Sequence, residues 1–311
     1  MTFEPPDDFV WDFWTATDDQ RQHHLFFLHA PRALGDPDLR HRHARVGHAV
    51  STDLRAWTRL PDPLPPPAPG AHDDLATWTG CTVRADDGWR LFTSGISSSD
   101  DGHVQRIGVA RSRDLVTWQR DPLVLEAASP HYEQRGPSCP DESWRDPYVV
   151  RAEDGLWHMY VTARGVRGSP GGGVVGHAVS DDLDNWGVRP PLSAPAATFA
   201  QLEVISVVQV EGRWVLLFSC LSPEMPGAPT GSGGVWSVPV DDPGCPVDVA
   251  AAVRLTDESL YVGRVVHHAG AAYFLAFRHQ DEAGRFVGGV IDPVPVTWRP
   301  DGRGLALRRT T

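Results

Sequence analysis

The sequence contains no lysine, one asparagine (Asn185) and four cysteines in 311 residues. All 28 basic residues are therefore arginines, and the 40 acidic residues give a formal net charge of −12. Such an acidic chain lacks the basic surface with which proteins bind nucleic acids or anionic membranes. No apolar run approaches the roughly 20 residues that a membrane-spanning helix needs. We therefore expect neither a nucleic-acid partner nor a membrane partner.

The cysteines are few and widely separated, and no two form a Cys-x-x-Cys pair. This spacing favours free thiols in a reducing compartment over a disulfide framework or a structural zinc site. The first residues are acidic and lack the basic and apolar regions of a signal peptide. We expect a cytoplasmic protein without a bound metal, and the sequence leaves its oligomeric state open. The four residues are Cys81, Cys139, Cys220 and Cys245.

Short apolar segments of similar pattern recur five times along the chain. Each is bounded by turn residues, which is typical of β-strands. The 30 glycines and 28 prolines likewise indicate many short elements and turns. The segments begin at His24, Trp89, Trp157, Trp214 and Tyr273, at intervals of 65, 68, 57 and 59 residues.

A second series of segments follows the first. Val46–Ser51 and Val175–Ser180 are identical in sequence, Ile107–Ser112 is similar to both, and Val235–Val240 and Val287–Asp292 are weaker counterparts. The first three continue into Asp-Leu-x-x-Trp, which we interpret as a turn, stabilised by its aspartate, into an outer strand.

Four strands per unit, repeated radially, describe the blade of a β-propeller. The sequence therefore predicts an all-β fold, a five-bladed propeller of four-stranded antiparallel blades around a central channel. We expect a single catalytic domain over residues 1–311. A β-sandwich needs no five-fold period, and the repeat of a β-helix is much shorter.

The residues 11 or 12 positions before the apolar segments should begin the inner strands and meet at one end of the channel. Cleavage of a glycoside needs one carboxyl group to protonate the leaving oxygen and a second as nucleophile or base. Crowded carboxylates also have separated pKa values, so that one stays protonated near neutral pH. We predict that three acids and two aromatic residues form a sugar pocket there: Asp12, Asp146 and Glu203, with Trp78 and Tyr261.

Four motifs carry a resemblance to known enzymes. They are Val10–Trp14 (Val-Trp-Asp-Phe-Trp), Trp78–Thr82 (Trp-Thr-Gly-Cys-Thr), Trp144–Pro147 (Trp-Arg-Asp-Pro) and Gln201–Val204 (Gln-Leu-Glu-Val). In this order they resemble motifs of the five-bladed propeller glycoside hydrolases of families 32 and 68 (clan J) and, more distantly, of family 43. The sequence lacks the Asn-Asp-Pro-Asn motif of invertases, the Cys-Pro that follows the acid/base glutamate in family 32, and a segment for that family's C-terminal β-sandwich.

The resemblance implies a retaining glycosidase that cleaves a small β-fructofuranoside such as sucrose. It implies that Asp12 is the nucleophile, that Glu203 is the acid and then the base, and that Asp146, held by Arg145, stabilises the transition state. This chemistry needs no cofactor, although a structural calcium ion is compatible with the resemblance. Residues that we expect to contact the sugar are Trp11, Trp14, Trp78, Thr79, Arg145 and Tyr261.

Three other functions remain open at this stage. One is an inverting α-L-arabinofuranosidase or β-xylosidase similar to family 43, another a glycoside phosphorylase, and the third a non-catalytic sugar-binding propeller. The basic segment Arg40–Arg45 is interpreted as a solvated loop, with contact to sugar hydroxyls or phosphate as the alternative. His48 and His177 recur at matching repeat positions and are interpreted as structural.

Overall fold

A computed structural model describes residues 3–127, 130–136, 140–166 and 172–308. Its strands form five four-stranded antiparallel sheets, each built from four consecutive strands. The first strands of neighbouring sheets contact one another in a closed ring, from β1 through β5, β9, β13 and β17 back to β1. The five-bladed propeller is thereby confirmed. The strands are β1 (Asp8–Thr17), β2 (His23–Pro31), β3 (Arg45–Ser51) and β4 (Thr58–Leu60) in blade one; β5 (Ala76–Ala85), β6 (Gly88–Ile96), β7 (Gln105–Ser112) and β8 (Trp118–Leu125) in blade two; β9 (Trp144–Arg151), β10 (Trp157–Arg164), β11 (Gly173–Ser180) and β12 (Gly187–Arg189) in blade three; β13 (Glu203–Val210), β14 (Arg213–Cys220), β15 (Gly234–Pro239) and β16 (Val253–Thr256) in blade four; and β17 (Leu260–His268), β18 (Ala271–Arg278), β19 (Val294–Trp298) and β20 (Leu305–Leu307) in blade five.

Five 3-10 turns lie in the connections between strands. Among the residues described, no helix has the length and apolarity needed to cross a membrane. The turns are Arg32–Leu34, Pro37–Arg42, Ser98–Asp100, Ser222–Glu224 and Val249–Ala251.

The apolar repeats form the second strand of each blade, and most segments of the second series form the third strand. Segment 287–292 is the exception, and its prediction as a strand is wrong. Its Val290 makes only isolated bridges to Phe3 and Phe277, and the third strand of blade five begins at Val294. Gly288 and Gly289 have φ angles of 85° and 81°, which a regular strand does not accommodate.

The Asp-Leu-x-x-Trp sequences form tight turns into the outer strands. In blade two, the Asp114 carboxylate accepts hydrogen bonds from the backbone N–H groups of Val116 and Thr117 at 2.9 and 2.7 Å. The following Leu115 is buried with φ of 64°. Asp53 and Asp182 accept the equivalent bonds, so the predicted role of these aspartates in turns is confirmed.

The hydrophobic core lies within and between neighbouring blades rather than in one central cluster. This arrangement leaves the starts of the inner strands free to carry polar side chains at the channel mouth. Of the cysteines, Cys81, Cys220 and Cys245 are free thiols, and Cys139 lies outside the described residues.

Candidate active site

A pocket of about 380 Å³ opens at the end of the channel where the inner strands begin. Every blade contributes to its lining, and all three predicted acids reach it. The structure therefore brings together three acids of which the outer two, Asp12 and Glu203, are 191 positions apart in the chain. The predicted residues in the lining are Trp11, Asp12, Trp78, Thr79, Arg145, Asp146, Glu203 and Tyr261.

A β-bulge in each inner strand aims these side chains at the pocket. In blade one, Trp11 and Asp12 lie opposite the single residue Leu28 of β2. In blade three, Asp146 belongs to the bulge and has φ of 57°, a conformation uncommon for residues other than glycine. Bulges interrupt the strict alternation of strand side chains and are frequent beside active sites.

The three acids do not occupy equivalent positions in their blades. Asp12 is the second residue of its bulge, Asp146 is the first of its own, and Glu203 immediately precedes the bulge of blade four. The residue of blade three that matches Glu203 in the strand register is Arg145. Convergence of the carboxylates thus depends on three different local geometries.

Asp12 is a half-buried carboxylate at the base of the pocket. The hydroxyl of Thr79 donates a hydrogen bond to its Oδ2 atom. Burial, and then the negative charges of Asp146 and Glu203, raise the pKa of Asp12 to about 7, although the Thr79 hydrogen bond and the nearby Arg40 guanidinium oppose this rise.

Asp146 is only 3% exposed. Its backbone N–H donates to Ser94 Oγ at 2.7 Å, and its Oδ2 accepts from Thr162 Oγ1 at 2.8 Å and from Val204 N at 3.4 Å. Burial is the main cause that raises its pKa above the ordinary value, and the adjacent Arg145 opposes it. These bonds hold the carboxylate in one orientation.

Each oxygen of the Glu203 carboxylate accepts from one donor. Arg145 Nη2 lies 2.5 Å from Oε1, and the Tyr261 hydroxyl donates to Oε2. Burial and the neighbouring Glu203 raise the pKa of Tyr261 well above its usual range, so this hydroxyl keeps its proton at neutral pH.

The remaining aromatic residues occupy different places. Trp78 donates from Nε1 to the backbone oxygen of His41 at 2.7 Å, and Trp11 is 2% exposed, so little of its ring is open to a ligand. Trp14 is not brought into this pocket. It stacks on Phe26, donates to Thr82 Oγ1 at 3.0 Å and lines a smaller cavity further along the channel.

The 3-10 turn Pro37–Arg42 places Arg40 and His41 in the pocket lining. Arg40 is buried, and its guanidinium lies 4.0 Å from the ring of Phe286. The interpretation of this segment as a solvated loop is therefore wrong for Arg40, whereas Arg42 and His43 are exposed. The sequence does carry a signal for this turn, since Asp followed by Pro is typical of the start of a helical turn. In the structure, the Asp36 side chain accepts a hydrogen bond from the N–H of Asp38 as the N-cap.

Within the described ranges, no group of three or more His, Cys, Asp or Glu residues could hold a metal ion. Glycoside cleavage requires a pair of carboxyl groups beside the scissile bond, and this channel mouth holds three, with an arginine and a tyrosine hydroxyl on one of them.

Comparison with known proteins agrees with this geometry. Residues 3–232 match the model of the glycosyl hydrolases family 32 N-terminal domain. The chain belongs to glycosyl hydrolase family 32. All four motifs and the three carboxylates of this family 32 chain lie inside the matched region. No curated protein sequence matches it.

Three solved structures of similar fold are those of a fructan 1-exohydrolase, a β-fructofuranosidase and an inulosucrase. Fructan 1-exohydrolase IIa from Cichorium intybus has a TM-score of 0.73 and 18% identity, with 99% of this chain and 59% of that chain covered. The family 32 β-fructofuranosidase of Bombyx mori has a TM-score of 0.73 and 17% identity, with 99% and 64% covered. Inulosucrase from Halalkalicoccus jeotgali bound to kestose has a TM-score of 0.75 and 20% identity, with 99% and 89% covered.

At these identities the similarity establishes the propeller fold. The chain spans less than two thirds of the length of the Cichorium intybus and Bombyx mori enzymes.

Proposed function

We propose that this family 32 chain hydrolyses a small β-fructofuranoside such as sucrose by a retaining double displacement. The observation that carries the proposal is the convergence of Asp12, Asp146 and Glu203 in one pocket, with Arg145 and Tyr261 on the two oxygens of Glu203. A pocket of about 380 Å³ is in the size range of small-molecule sites. Solved structures of similar fold include enzymes bound to kestose and to sucrose.

In the first step, ionised Asp12 attacks the anomeric carbon while Glu203 donates a proton to the leaving oxygen. The bond between the anomeric carbon and that oxygen breaks, and an ester to Asp12 forms. In the second step, Glu203 takes a proton from water, the water oxygen bonds to the anomeric carbon, and the ester breaks. The carboxylate of Asp146 stabilises the positive charge that develops on the sugar in both steps.

Protonation of the site depends on the crowding of its acids. Burial and the neighbouring negative charges raise the pKa values of Asp12 and Asp146, so the form in which every carboxylate is charged is unfavourable. The productive form is the one in which the retained proton lies on Glu203 and Asp12 is ionised. Its population depends on pH in the neutral range because the pKa of Asp12 is raised to about 7.

The test is to assay the purified chain against sucrose, inulin-type oligomers and aryl arabinofuranosides. We expect fructose release, and NMR of the first-formed anomer should show retention of configuration. Asp12→Asn and Glu203→Gln should each lower kcat by several orders of magnitude, whereas Asp181→Asn, at an exposed position, should leave kcat unchanged.

Other outcomes would replace this proposal with one of its alternatives. Inversion at the anomeric carbon would indicate a single displacement of the family 43 type. Turnover that requires phosphate would indicate a phosphorylase. Binding of sugar by the wild type without any turnover, unaltered in Asp12→Asn, would indicate a sugar-binding propeller.

A further inference from the structure

A second cavity, of about 130 Å³, lies in the central channel between the inner strands. It is separate from the catalytic pocket, and no residue lines both. Strands β1, β5, β9, β13 and β17 all contribute to its wall. Its polar lining consists of Thr15, Thr82, Tyr148, Ser206 and Arg264, with the thiol of Cys81 beside them.

Arg264 is the cation of this cavity, and only 4% of the residue is exposed. Its Nε donates to the backbone oxygen of Phe13 at 3.2 Å and its Nη1 to that of Ile205 at 3.1 Å. Nη2 is buried and has no hydrogen-bond partner. Among the residues described, no Asp or Glu lies within ion-pair distance of this guanidinium, and the carboxylates of Asp12 and Asp146 act on it only through space. The ring of Tyr148 lies 5.5 Å from Cζ.

Burying a guanidinium without an ion-pair partner is unfavourable. Arginine does not relieve this cost by losing its proton, since it stays charged in proteins. Bound water could occupy the free N–H groups but would not bring a charge into contact with the guanidinium. The cavity therefore presents a buried positive charge and a free N–H group that no described carboxylate contacts.

The hydroxyl groups of the cavity can donate hydrogen bonds to such a charge. Ser206 Oγ is buried and without a partner. Thr82 Oγ1 accepts the indole N–H of Trp14, so its own proton is available to a further acceptor. Donors without a competing carboxylate favour an anion over a cation.

We propose that the channel cavity is a binding site for a small inorganic anion of halide size, held by the Arg264 guanidinium and the cavity hydroxyls. Chloride is the probe, because the space is too small for a sugar but sufficient for a halide and a few waters. The site connects to the catalytic pocket through the backbone. Phe13 follows Asp12 directly, and Ile205 lies two residues after Glu203. The hydrogen bonds from Arg264 to the backbone oxygens of Phe13 and Ile205 therefore fix β1 and β13 close to the bulges that orient both carboxylates.

The experiment is thermal unfolding of the full chain in sodium chloride, sodium bromide or sodium gluconate at one constant ionic strength. We expect Tm to rise in a saturable way with chloride and bromide but not with gluconate, because a ligand that binds only the folded state stabilises it by mass action. A crystal grown in bromide should show anomalous scattering beside Arg264 Nη2. Neither measurement depends on sugar turnover, so their outcome is independent of the proposed hydrolase activity.

Single substitutions test whether the halide-dependent rise in Tm comes from this cavity. Arg264→Met should abolish the halide-dependent rise in Tm, and Arg303→Met, which changes an exposed arginine, should keep it. If Arg264→Met does not fold, Ser206→Ala keeps the cation and should weaken halide affinity by about tenfold, as expected when a hydrogen bond to a charged group is lost.

Two results would overturn the proposal. One is a Tm that responds equally to chloride and gluconate in the wild type. The other is a halide response of the same size and midpoint in Ser206→Ala or Arg264→Met as in the wild type.

Discussion

Arg145 Nη2 lies 2.5 Å from Glu203 Oε1, and this ion pair joins the inner strands of blades three and four across the mouth of the pocket. The same guanidinium lies 3.5 Å from Asp146 Oδ2 through Nε and donates to Gln105 Oε1 at 3.3 Å. Its side chain is only 13% exposed, so solvent screens these interactions weakly. One cation therefore offsets the repulsion between two of the three acids of the pocket.

Replacing Arg145 by methionine should lower kcat/KM by about 30- to 4,000-fold. Removing one partner of a buried, hydrogen-bonded charge pair costs about 2–5 kcal/mol, and each 1.4 kcal/mol corresponds to a factor of ten. Arg145→Lys keeps the charge but cannot reach all three partners, and an intermediate loss is expected. Steady-state kinetics on the substrate that the wild type hydrolyses would measure these changes.

A double-mutant cycle distinguishes this role from general destabilisation. In a Glu203→Gln background, Arg145→Met should cause little further loss, because the ion pair has already been removed. If the losses of transition-state stabilisation in the two single variants add in the double variant, Arg145 acts independently of Glu203.

Thr79→Val should move the acidic limb of the pH profile of kcat/KM to higher pH. The Thr79 hydroxyl stabilises the ionised form of Asp12, and its loss should raise the Asp12 pKa further from about 7. A hydrogen bond to a charged group is worth about 1.5–3 kcal/mol, which corresponds to a shift of at least about one pH unit. Initial rates between pH 5 and 9 would measure it.

Thr79→Ser is the matched control, since it keeps the hydroxyl and should keep the wild-type limb. An unshifted acidic limb in Thr79→Val would mean that Asp12 does not control it.

Two histidine pairs should make the fold sensitive to acid. His48 Nε2 lies 2.9 Å from His24 Nδ1, and His177 Nε2 lies 3.0 Å from His158 Nδ1. Burial, and then the partner ring, lower the pKa of both His48 and His177 to about 4. These contacts lie between the second and third strands of blades one and three.

The unfolded chain binds protons at these positions near pH 6.5, and the folded chain only near pH 4. The unfolding free energy should therefore be unaffected by them above about pH 6.5. It should fall as pH decreases from 6.5 to 4, by about 3 kcal/mol for each histidine.

Urea denaturation at pH 7.5 and pH 4.5 would measure this loss. His177→Gln should reduce the difference between the two pH values by up to about 3 kcal/mol, even if it lowers stability at pH 7.5. His267→Gln changes an exposed histidine and should leave the difference as in the wild type. If the unfolding free energy differed between the two pH values by the same amount in the wild type, His177→Gln and His267→Gln, protonation of His177 would not contribute to the sensitivity to acid.

The period of the apolar segments was sufficient to predict the five blades, since each blade buries a similar set of residues at a similar place in its sequence. The same period located the three acids near the starts of inner strands, within one position. Its limit is visible at segment 287–292, where the repeat is weak and two glycines with positive φ prevent a third strand.

The orientation of each side chain at the channel mouth was decided by the tertiary structure. A bulge of one residue reverses the face toward which a strand residue points, and no signal in the sequence specifies where within the bulge an acid lies. For this reason Trp14, predicted in the sugar site, lines the second cavity. Arg40, predicted in solvent, lines the pocket of the three acids because the 3-10 turn Pro37–Arg42 places it there.

The sequence by itself thus determined the propeller, the order of its blades and the identity of its acids, because burial repeats with the chain. Only the folded molecule brought Arg145 and Tyr261 onto Glu203 and left Arg264 Nη2 without a hydrogen-bond partner in the described part of the chain. Contacts of this kind join strands 58 or more residues apart, and they depend on distances and angles between blades that no local pattern encodes.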